Sequence, residues 1–152
     1  MKEQLKHTQV FPNEGTWRTF IEHTVKYLEE NWLEKTQVPD FEKKYERTLQ
    51  SRCDENRGLF LYTANGTLVG LANAYVDQDS LNIAEFCVLS QFRKQGYGRE
   101  IVMHLLEWGR SRGVHELRIE VDKHLIAANA FWSKFGYNLD QTTERNLYTS
   151  RF

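Results

Sequence analysis

The sequence predicts an α/β (α+β) fold in which one mixed, mostly antiparallel central sheet is flanked by about four helices. In some segments the apolar residues recur at helical spacing. Between them lie segments in which apolar and polar residues alternate or the residues are continuously apolar, as expected for a sheet covered by helices. An Asn-Gly pair between two apolar runs is typical of a tight hairpin. No linker-like or low-complexity run divides the 152 residues, so we expect a single domain over residues 1–152.

The N-terminal part is predicted to contain one strand followed by two helices. The strand spans Glu3 to Phe11, and from Trp17 to Trp32 the apolar residues share one helical face. A second helix is predicted to begin after Pro39, with Asp40 as its N-cap, because apolar residues then follow four apart. These residues are Phe41, Tyr45, Leu49 and Cys53.

Three strands are predicted in the middle of the chain. Residues 59–64 and 67–76 flank Asn65-Gly66, and both residues of this pair tolerate the positive φ angles of a tight hairpin. A further strand runs from about Leu81 to Leu89, and a Gly-containing turn leads from it into a helix. One face of that helix carries the apolar residues Ile101, Leu105 and Trp108.

The C-terminal part alternates strand and helix. Gly113 is expected to end the preceding helix, because glycine favours the left-handed conformation of a helix C-terminus. The strand that follows alternates, with one side formed by Leu117, Ile119 and Val121. A last helix is predicted from about Leu125 to Phe135, stopping at Gly136, and residues 137–152 remain for one or two closing strands.

Charge and composition exclude several classes of partner. With 20 Lys and Arg against 21 Asp and Glu, the chain lacks the basic surface of a nucleic-acid binder. No apolar run approaches the ~20 residues that span a bilayer, so no membrane partner is expected. Cys53 and Cys87 lie far apart in apolar segments, which favours buried free thiols in a cytoplasmic protein. The histidines show no metal-ligand spacing, so no metal is expected.

The segment from Val88 to Arg99 carries the clearest chemistry, because it lies where a strand leads into a helix. Gly96 and Gly98 let the backbone approach a ligand closely, and the N–H groups and dipole of the helix's first turn favour a pyrophosphate. The other interpretation is a tight turn with solvated basic residues. A dinucleotide-binding fingerprint is excluded because Ile101 stands at its third glycine position. A P-loop is excluded because no Gly-Lys-Ser/Thr follows.

This segment resembles the coenzyme A signature of the GNAT superfamily of N-acetyltransferases, which reads Arg or Gln, two residues, Gly, one residue, then Gly or Ala. Arg93, Gly96 and Gly98 match it. Residues 131–137 resemble the family's second coenzyme-contacting helix and its closing Gly-aromatic pair. The resemblance implies that acetyl-CoA is the co-substrate. It also implies acetyl transfer to a primary amine, of a small molecule or a protein, by direct attack in a ternary complex.

The resemblance further implies how the coenzyme is held. The strand before the signature is expected to splay from its neighbour, so that backbone groups near Cys87, Val88 and Leu89 bind the pantetheine arm. The Val88 N–H would also donate to the acetyl carbonyl and to the oxyanion that develops during attack, where one donor contributes roughly 3 kcal/mol. The pyrophosphate would be held by backbone N–H groups next to Arg93, namely those of Lys94, Gln95, Gly96, Tyr97, Gly98 and Arg99.

Glu85 is the candidate general base, because it interrupts an apolar strand and a carboxylate there is expected to have a raised pKa. The alternative is that it faces solvent or pairs with a neighbouring Arg or Lys. The chain departs from the family at the usual general acid, a Tyr, where it has Trp132. Trp132 is expected either to line the coenzyme channel or to pack in the core, and Tyr137 and Tyr148 are candidate substitutes as the acid.

An Asn that is common in the family is Leu125 here, so Asn129 is the candidate that contacts the coenzyme instead. For the acceptor, the resemblance points to the loop between the first two helices, where Glu30, Trp32 and Glu34 would attract a cationic amine. An ordinary solvated helix end is the alternative.

Homodimers are frequent in the family. A second functional hypothesis, based on Trp132, is a catalytically weak acyl-CoA-binding or sensing domain, and a third is an interaction domain without coenzyme affinity.

Overall fold

The structure is a computed structural model that describes residues 4–152. Seven strands and five α-helices occur in this range. The strands are β1 (Leu5–Gln9), β2 (Arg57–Ala64), β3 (Thr67–Asp77), β4 (Ser80–Val88), β5 (Glu116–Asp122), β6 (Asn138–Gln141) and β7 (Arg145–Arg151). The helices are α1 (Trp17–Asn31), α2 (Leu33–Thr36), α3 (Phe41–Arg52), α4 (Tyr97–Ser111) and α5 (Ile126–Ser133), with a 3₁₀ helix at Ser90–Phe92.

All seven strands form one sheet in the order β1-β2-β3-β4-β5-β7-β6, antiparallel except between β4 and β5. Alternate residues of β2 point to opposite faces. Leu59 and Leu61 pack with α1 and α3 on one face, while Phe60 and Tyr62 pack with α4 on the other. The predicted class, a mixed and mostly antiparallel sheet covered by helices, is confirmed.

Local signals located several elements correctly. Asn65 (φ 51°) and Gly66 (φ 77°) form the predicted hairpin turn, with Ala64 paired to Thr67. In β5 the predicted apolar side is buried, at 1%, 3% and 6% exposure for Leu117, Ile119 and Val121. The α4 helix ends just before Gly113, which has φ 81° and whose N–H donates to the Arg110 carbonyl at 3.0 Å.

Asp40 is the N-cap of α3, as predicted, although it has φ 57° and its side chain makes no capping hydrogen bond. Other expectations need correction. The short helix α2 was not predicted. The first strand begins at Leu5, and the predicted start at Glu3 lies outside the described residues. The last helix ends at Ser133 rather than Phe135, because Gly136 already donates to the Ser133 carbonyl in a turn at 3.3 Å.

The two cysteines are free thiols, with Cys87 buried and Cys53 partly buried. No helix within residues 4–152 combines the length and the apolar character needed to cross a bilayer.

Candidate active site

The sheet opens between β4 and β5. Pairing covers only residues 80–82 of β4 and 116–118 of β5, although β4 continues to Val88 and β5 to Asp122. Over these last residues the two strands share no ladder, so backbone groups of β4 face a gap rather than a neighbouring strand. The splay that the family resemblance implies is confirmed.

The turn into α4 brings positive charge to the end of this gap. Lys94 (φ 61°) and Gly96 (φ 86°) are both left-handed, and Gly96 is the N-cap of α4. N–H groups in the first turn of a helix have no helical acceptor, and the positive end of the helix dipole attracts anions. Arg93, Lys94 and Arg99 are exposed around this turn. The geometry and the charge both fit a pyrophosphate.

Three of the predicted coenzyme residues have side chains engaged within the protein. The Arg93 Nε donates to the Val88 carbonyl at 2.9 Å. The Gln95 Nε2 donates to a backbone carbonyl at 3.1 Å. Tyr97 is 4% exposed, and its ring packs edge-to-face against Phe92 with 6.0 Å between centroids. Tyr97 can therefore approach a ligand in the turn only through its backbone.

Gly98 lies where α5 crosses the start of α4. A Cβ on Gly98 would lie 2.7 Å from the ring of Phe131, closer than two such atoms approach in proteins. One residue further on, the Arg99 guanidinium lies 4.7 Å from the ring centroid of Phe135. A side chain at position 98 would therefore displace the Phe131 ring, so Gly98 favours close packing of the two helices in addition to the backbone access that the sequence suggested.

At the end of β4 the Leu89 N–H donates to the Val69 carbonyl at 2.8 Å, so this N–H is not free for a ligand. The predicted contact of the pantetheine arm with backbone groups near Cys87, Val88 and Leu89 stays a prediction. The Cys87 side chain is 7% exposed and packs with the α1–α3 layer. Burial raises the pKa of the Cys87 thiol to about 11, against a smaller opposing effect of Arg93, so the thiol is protonated near neutral pH. The role of the Val88 N–H stays a prediction.

Glu85 lies on the face of β4 that is covered by α1 and α3, and it is held by two donors. The Tyr45 hydroxyl donates to its Oε1 at 3.3 Å, and the Asn73 amide donates to its Oε2. Arg57 in turn donates to the Asn73 Oδ1 at 2.6 Å. The predicted alternative, an ion pair with an Arg or Lys, is not among the ion pairs of the described residues.

The surroundings of Glu85 alter its proton affinity. Burial raises the pKa of the Glu85 carboxyl above its usual value, although hydrogen bonds from Asn73 and Tyr45 and the charge of Arg57 act in the opposite direction. A carboxyl group with a raised pKa holds an accepted proton more readily than an ordinary one. Glu85 therefore has the environment expected of a general base.

A β-bulge creates an opening beside this carboxyl. Asn73 pairs with Glu85 while Ala74 pairs with Ile83, so Ala84 is an extra residue on β4 and is exposed. Bulges bend a strand and redirect its side chains, and they are frequent next to active sites. An open cleft of about 660 Å³ lies here between α3 and the sheet. Besides Asn73, Ala84 and Glu85 its lining includes Tyr45, Leu49, Arg52, Arg57 and Tyr75.

Tyr27 of α1 is a residue that the sequence analysis missed. Its hydroxyl interacts electrostatically with Cys87, Glu85, Arg93 and Asp122. Burial, followed by Cys87, raises the pKa of Tyr27 to about 12, so the hydroxyl stays protonated. The sequence signal for it is an aromatic residue five positions before Trp32, whose ring it meets edge-to-face at 5.9 Å.

The end of α1 is bonded to the end of β5. The Trp32 Nε1 donates to the Asp122 Oδ2 at 2.6 Å, and Arg145 donates to the other carboxylate oxygen at 3.0 Å. The His124 Nε2 lies 2.9 Å from the Asn31 carbonyl. Burial raises the pKa of the Asp122 carboxyl, but the Trp32 and Arg145 donors outweigh this and hold it below its usual value. The segment predicted to border the acceptor cleft thus reaches across the gap.

Glu30 and Glu34, the carboxylates predicted to attract the acceptor, are exposed on either side of Trp32. Glu30 interacts electrostatically with Cys87, which places it on the α1 side of the gap. Neither carboxylate occurs in an ion pair of the described residues. Their role in binding the acceptor, and that of Trp32, stays a prediction.

Trp132 occupies an aromatic cluster on the other face of the sheet. It is 3% exposed, and its ring lies 5.1 Å from that of Phe86, 4.8 Å from that of Phe131 and 5.7 Å from that of Phe135. This burial confirms core packing, one of the two expectations for Trp132, and its predicted contact with the coenzyme stays a prediction. Because Phe86 lies on the part of β4 that is not paired with β5, the same cluster also borders the gap.

The side-chain amide of Asn129 is fully used within the protein. Its Nδ2 donates to the carbonyls of Asp122 at 3.0 Å and Leu125 at 2.9 Å. Its Oδ1 accepts from Asn146 and from the Tyr148 hydroxyl, each at 2.8 Å. An amide side chain has two N–H donors and two lone pairs on its oxygen, so no capacity is left. The expectation that this side chain binds the coenzyme is wrong, because it joins α5 to β5 and β7.

Comparison with known proteins decides the family. A model described as the acetyltransferase (GNAT) family matches residues 17–137. The chain belongs to this family. Over 103 residues it is 32% identical to an Escherichia coli protein named ribosomal protein bS18-alanine N-acetyltransferase, in an alignment that covers 68% of this chain and 69% of that one. The GNAT chain is an acyl-CoA-dependent N-acetyltransferase whose acceptor is an amine.

Solved structures show the same fold. The PaiA N-acetyltransferase of Thermoplasma acidophilum, in complex with coenzyme A, matches with a TM-score of 0.75 at 10% identity, over 98% of this chain and 99% of that one. An acetyltransferase of Thermus thermophilus matches with a TM-score of 0.76 at 19% identity, over 100% of both chains. At these identities the likeness establishes the GNAT fold and leaves the acceptor open.

Proposed function

We propose that residues 1–152 act as one catalytic domain that transfers the acetyl group of acetyl-CoA to a primary amine by direct attack in a ternary complex. The observation that carries this proposal is the position of Glu85. It lies on the part of β4 that is not paired with β5, on the strand that leads into the turn at Gly96, and it lines the cleft under α3. A thioester held in the gap and an amine in the cleft would then meet beside the same carboxyl group.

The coenzyme side of this arrangement uses the backbone. The turn with left-handed Lys94 and Gly96 would hold the pyrophosphate on its N–H groups, with Arg99 and Lys94 supplying positive charge. The pantetheine arm would run along the unpaired backbone groups of β4, and the Val88 N–H would bind the acetyl oxygen. Coenzyme A, when bound, supplies the activated acetyl group.

The acceptor side requires a base. An amine with a pKa of ~10.4 is only about one part in a thousand neutral near pH 7, so its proton must be removed before or during attack. The two carboxylate oxygens of Glu85 are already positioned by Tyr45 and Asn73. Glu85 would take the proton directly or through a water molecule, and its raised pKa favours that transfer.

The leaving thiol does not require the usual family Tyr. A thiol with a pKa of ~8.5 leaves as the thiolate at a cost of about 2 kcal/mol at pH 7. Of the two substitutes expected from the sequence, Tyr148 already donates its hydroxyl proton to Asn129. Tyr137 stacks on Phe135 with 5.1 Å between ring centroids, and burial raises its pKa. We therefore assign the acid role to neither.

The test measures binding and turnover separately. Acetyl-CoA is titrated calorimetrically, and thiol release is followed with small primary amines and with peptides that begin with alanine, because the Escherichia coli relative is named for an alanine acceptor. We expect acetyl-CoA binding and amine-dependent thiol release, both attributable to the same chain. Binding without release for any acceptor would contradict the proposal.

The alternative function is a catalytically weak acyl-CoA-binding domain, and one observation favours it. Trp132, buried at the position of the usual acid, has an indole N–H that donates hydrogen bonds but is not a usable acid. Binding without thiol release is the result that this alternative predicts.

We also infer a cytoplasmic location from the free thiols. The expected homodimer would be tested by size-exclusion chromatography with light scattering.

A further inference from the structure

The cleft beside Glu85 continues along the C-terminal end of α3. The first cleft, of about 660 Å³, includes Glu85 and Asn73 in its lining, whereas the adjoining one, of about 270 Å³, includes neither. The residues common to both are Arg52, Asp54, Arg57 and Tyr75. Arg57 and Glu85 bond to opposite ends of the same side-chain amide, that of Asn73, so this shared wall begins about 5–7 Å from the Glu85 carboxyl group.

Arg57 is held in place by neutral groups. Its Nη1 donates to the Asn73 Oδ1 at 2.6 Å, and its Nε donates to the Arg52 carbonyl at 3.2 Å. Its guanidinium also lies 4.6 Å from the ring centroid of Tyr75. None of these partners neutralises its charge, and a guanidinium has further N–H donors beyond the two engaged here. The side chain is thus oriented in advance and can still bind an anion.

Arg52 adds a second positive charge to the same wall. Its side chain is exposed, occurs in none of the ion pairs formed within residues 4–152, and interacts electrostatically with Glu85. Asp54 is the one carboxylate on the shared wall, and its Oδ1 accepts the Asn56 N–H at 2.8 Å. Asp77 lines only the smaller cleft. In the first cleft, two guanidinium groups therefore face one wall carboxylate, Asp54, and Glu85, with which both arginines interact electrostatically.

We propose that the acceptor is a primary amine that also carries a carboxylate or phosphate at the other end of a short chain. The nitrogen lies at Glu85, and Arg52 and Arg57 bind the anion, because planar guanidinium groups match the geometry of both anions. A diamine of the same length would place its second cation against these arginines. This inference rests on the proposed acetyl transfer at Glu85 and specifies the class of acceptor.

The first test compares primary amines of similar length whose far ends are anionic, neutral and cationic: ε-aminocaproate, hexylamine and hexanediamine, each assayed for thiol release from acetyl-CoA. We expect kcat/KM for ε-aminocaproate to exceed the other two by about tenfold, the effect of one charge-assisted hydrogen bond. Arg52→Gln abolishes this preference. Arg47→Gln, on an exposed residue of the same helix outside the cleft, retains it. Equal kcat/KM values, or a preference that survives Arg52→Gln, would overturn the inference.

A second measurement separates this inference from the proposed activity. With coenzyme A present, ε-aminocaproate should raise the Tm of the wild type and of Arg47→Gln, but not of Arg52→Gln, and hexylamine should raise none. If no amine is acetylated while this Arg52-dependent rise persists, the proposed activity fails and the anion site stands. If amines are acetylated without charge preference and without the rise, the activity stands and the anion site is wrong. Absence of both overturns both.

Discussion

The Trp32 Nε1 donates to the Asp122 carboxylate at 2.6 Å, across the gap between β4 and β5. The α1 helix packs against β2, β3 and β4, while Asp122 ends β5 and is also bonded to Arg145 of β7. The strand ladder joins these two parts of the sheet only at residues 80–82 and 116–118. The bond between Trp32 and Asp122 therefore connects them at the open end of the splay, beside the proposed reaction centre.

Trp32→Phe is expected to weaken acceptor binding. The substitution removes the N–H but keeps an aromatic ring, so the free energy of unfolding should fall by about 1–3 kcal/mol, as for other hydrogen bonds to charged groups. KM for the acceptor should rise, because the loop beside the cleft loses its attachment to β5. Urea unfolding and steady-state kinetics measure the two effects.

The matched control for this prediction is Trp17→Phe at the other end of α1. The Trp17 Nε1 also donates to a carboxylate at 2.6 Å, that of Glu46, but far from β5. Trp17→Phe should therefore lower stability and leave the acceptor KM unchanged. If both variants raise KM equally, the connection to Asp122 has no specific role in acceptor binding.

Tyr45→Phe is expected to shift the pH dependence of catalysis. The Tyr45 hydroxyl lowers the pKa of Glu85, so its removal raises that pKa further. A general base acts when deprotonated, so kcat/KM rises with pH through its pKa. In Tyr45→Phe the acidic limb of the profile should therefore move to higher pH. An unmoved limb would show that Glu85 does not govern it.

Glu85→Gln is expected to remove that limb altogether. Glutamine keeps the shape of the side chain but cannot accept a proton, so kcat should fall by about 10²-fold or more. The Kd for acetyl-CoA should stay unchanged, because the predicted coenzyme contacts are made by the turn at Gly96 and by backbone groups of β4, and none involves the Glu85 side chain. Unchanged turnover in this variant would exclude Glu85 as the base.

Gly96→Ala is expected to weaken coenzyme binding. Gly96 has φ 86°, where a side chain costs about 1–2 kcal/mol, and it caps the helix whose N–H groups would bind the pyrophosphate. Calorimetry should show a Kd for acetyl-CoA that is higher by about tenfold. Gly66→Ala, at φ 77° in the hairpin with nothing within 4 Å of the added Cβ, carries the same strain far from the turn. Equal Kd values in the two variants would contradict an anion site at Gly96.

The elements predicted correctly are those specified by neighbouring residues. Asn65-Gly66 and Gly113 specify a backbone conformation locally, and the alternation in β5 needs no knowledge of the rest of the chain. The helix α2 was missed because Leu33–Thr36 is a single turn, too short to show a helical period. Asp40 was predicted correctly as the N-cap of α3, but its left-handed backbone and the missing side-chain capping bond could not be predicted from its residue type.

The missing parts of the candidate site depend on contacts between distant segments. The chain of hydrogen bonds from Arg57 through Asn73 to Glu85 requires the register of three strands, which no local pattern reveals. Asn129 was predicted to bind the coenzyme, but its partners come from two strands and its own helix. The N–H of Leu89 is likewise occupied by Val69 of β3. In each case tertiary pairing, rather than residue type, decides which polar groups remain for a ligand.

A histidine pair outside the site should make stability depend on pH. The His104 ring of α4 stacks on that of His7 of β1 at 3.8 Å, and its Nδ1 lies 2.8 Å from the Tyr62 hydroxyl. Burial, and then the charge of His7, lowers the pKa of His104 from 6.5 to about 4. Since the unfolded chain binds this proton more readily, stability is complete above pH 6.5 and is lost progressively as the pH falls towards 4.

His104→Gln should remove most of this dependence. We expect the wild type to lose on the order of 1–2 kcal/mol of unfolding free energy between about pH 7.5 and 5, a range that allows for the partial exposure of the ring. His104→Gln should be less stable near neutral pH, because it loses the ring contacts, but its stability should change less with pH. His115→Gln, on an exposed histidine before β5, should keep the wild-type slope. Urea unfolding at both pH values measures these changes in unfolding free energy. If His104→Gln loses as much stability between the two pH values as the wild type, the pH dependence arises from other groups.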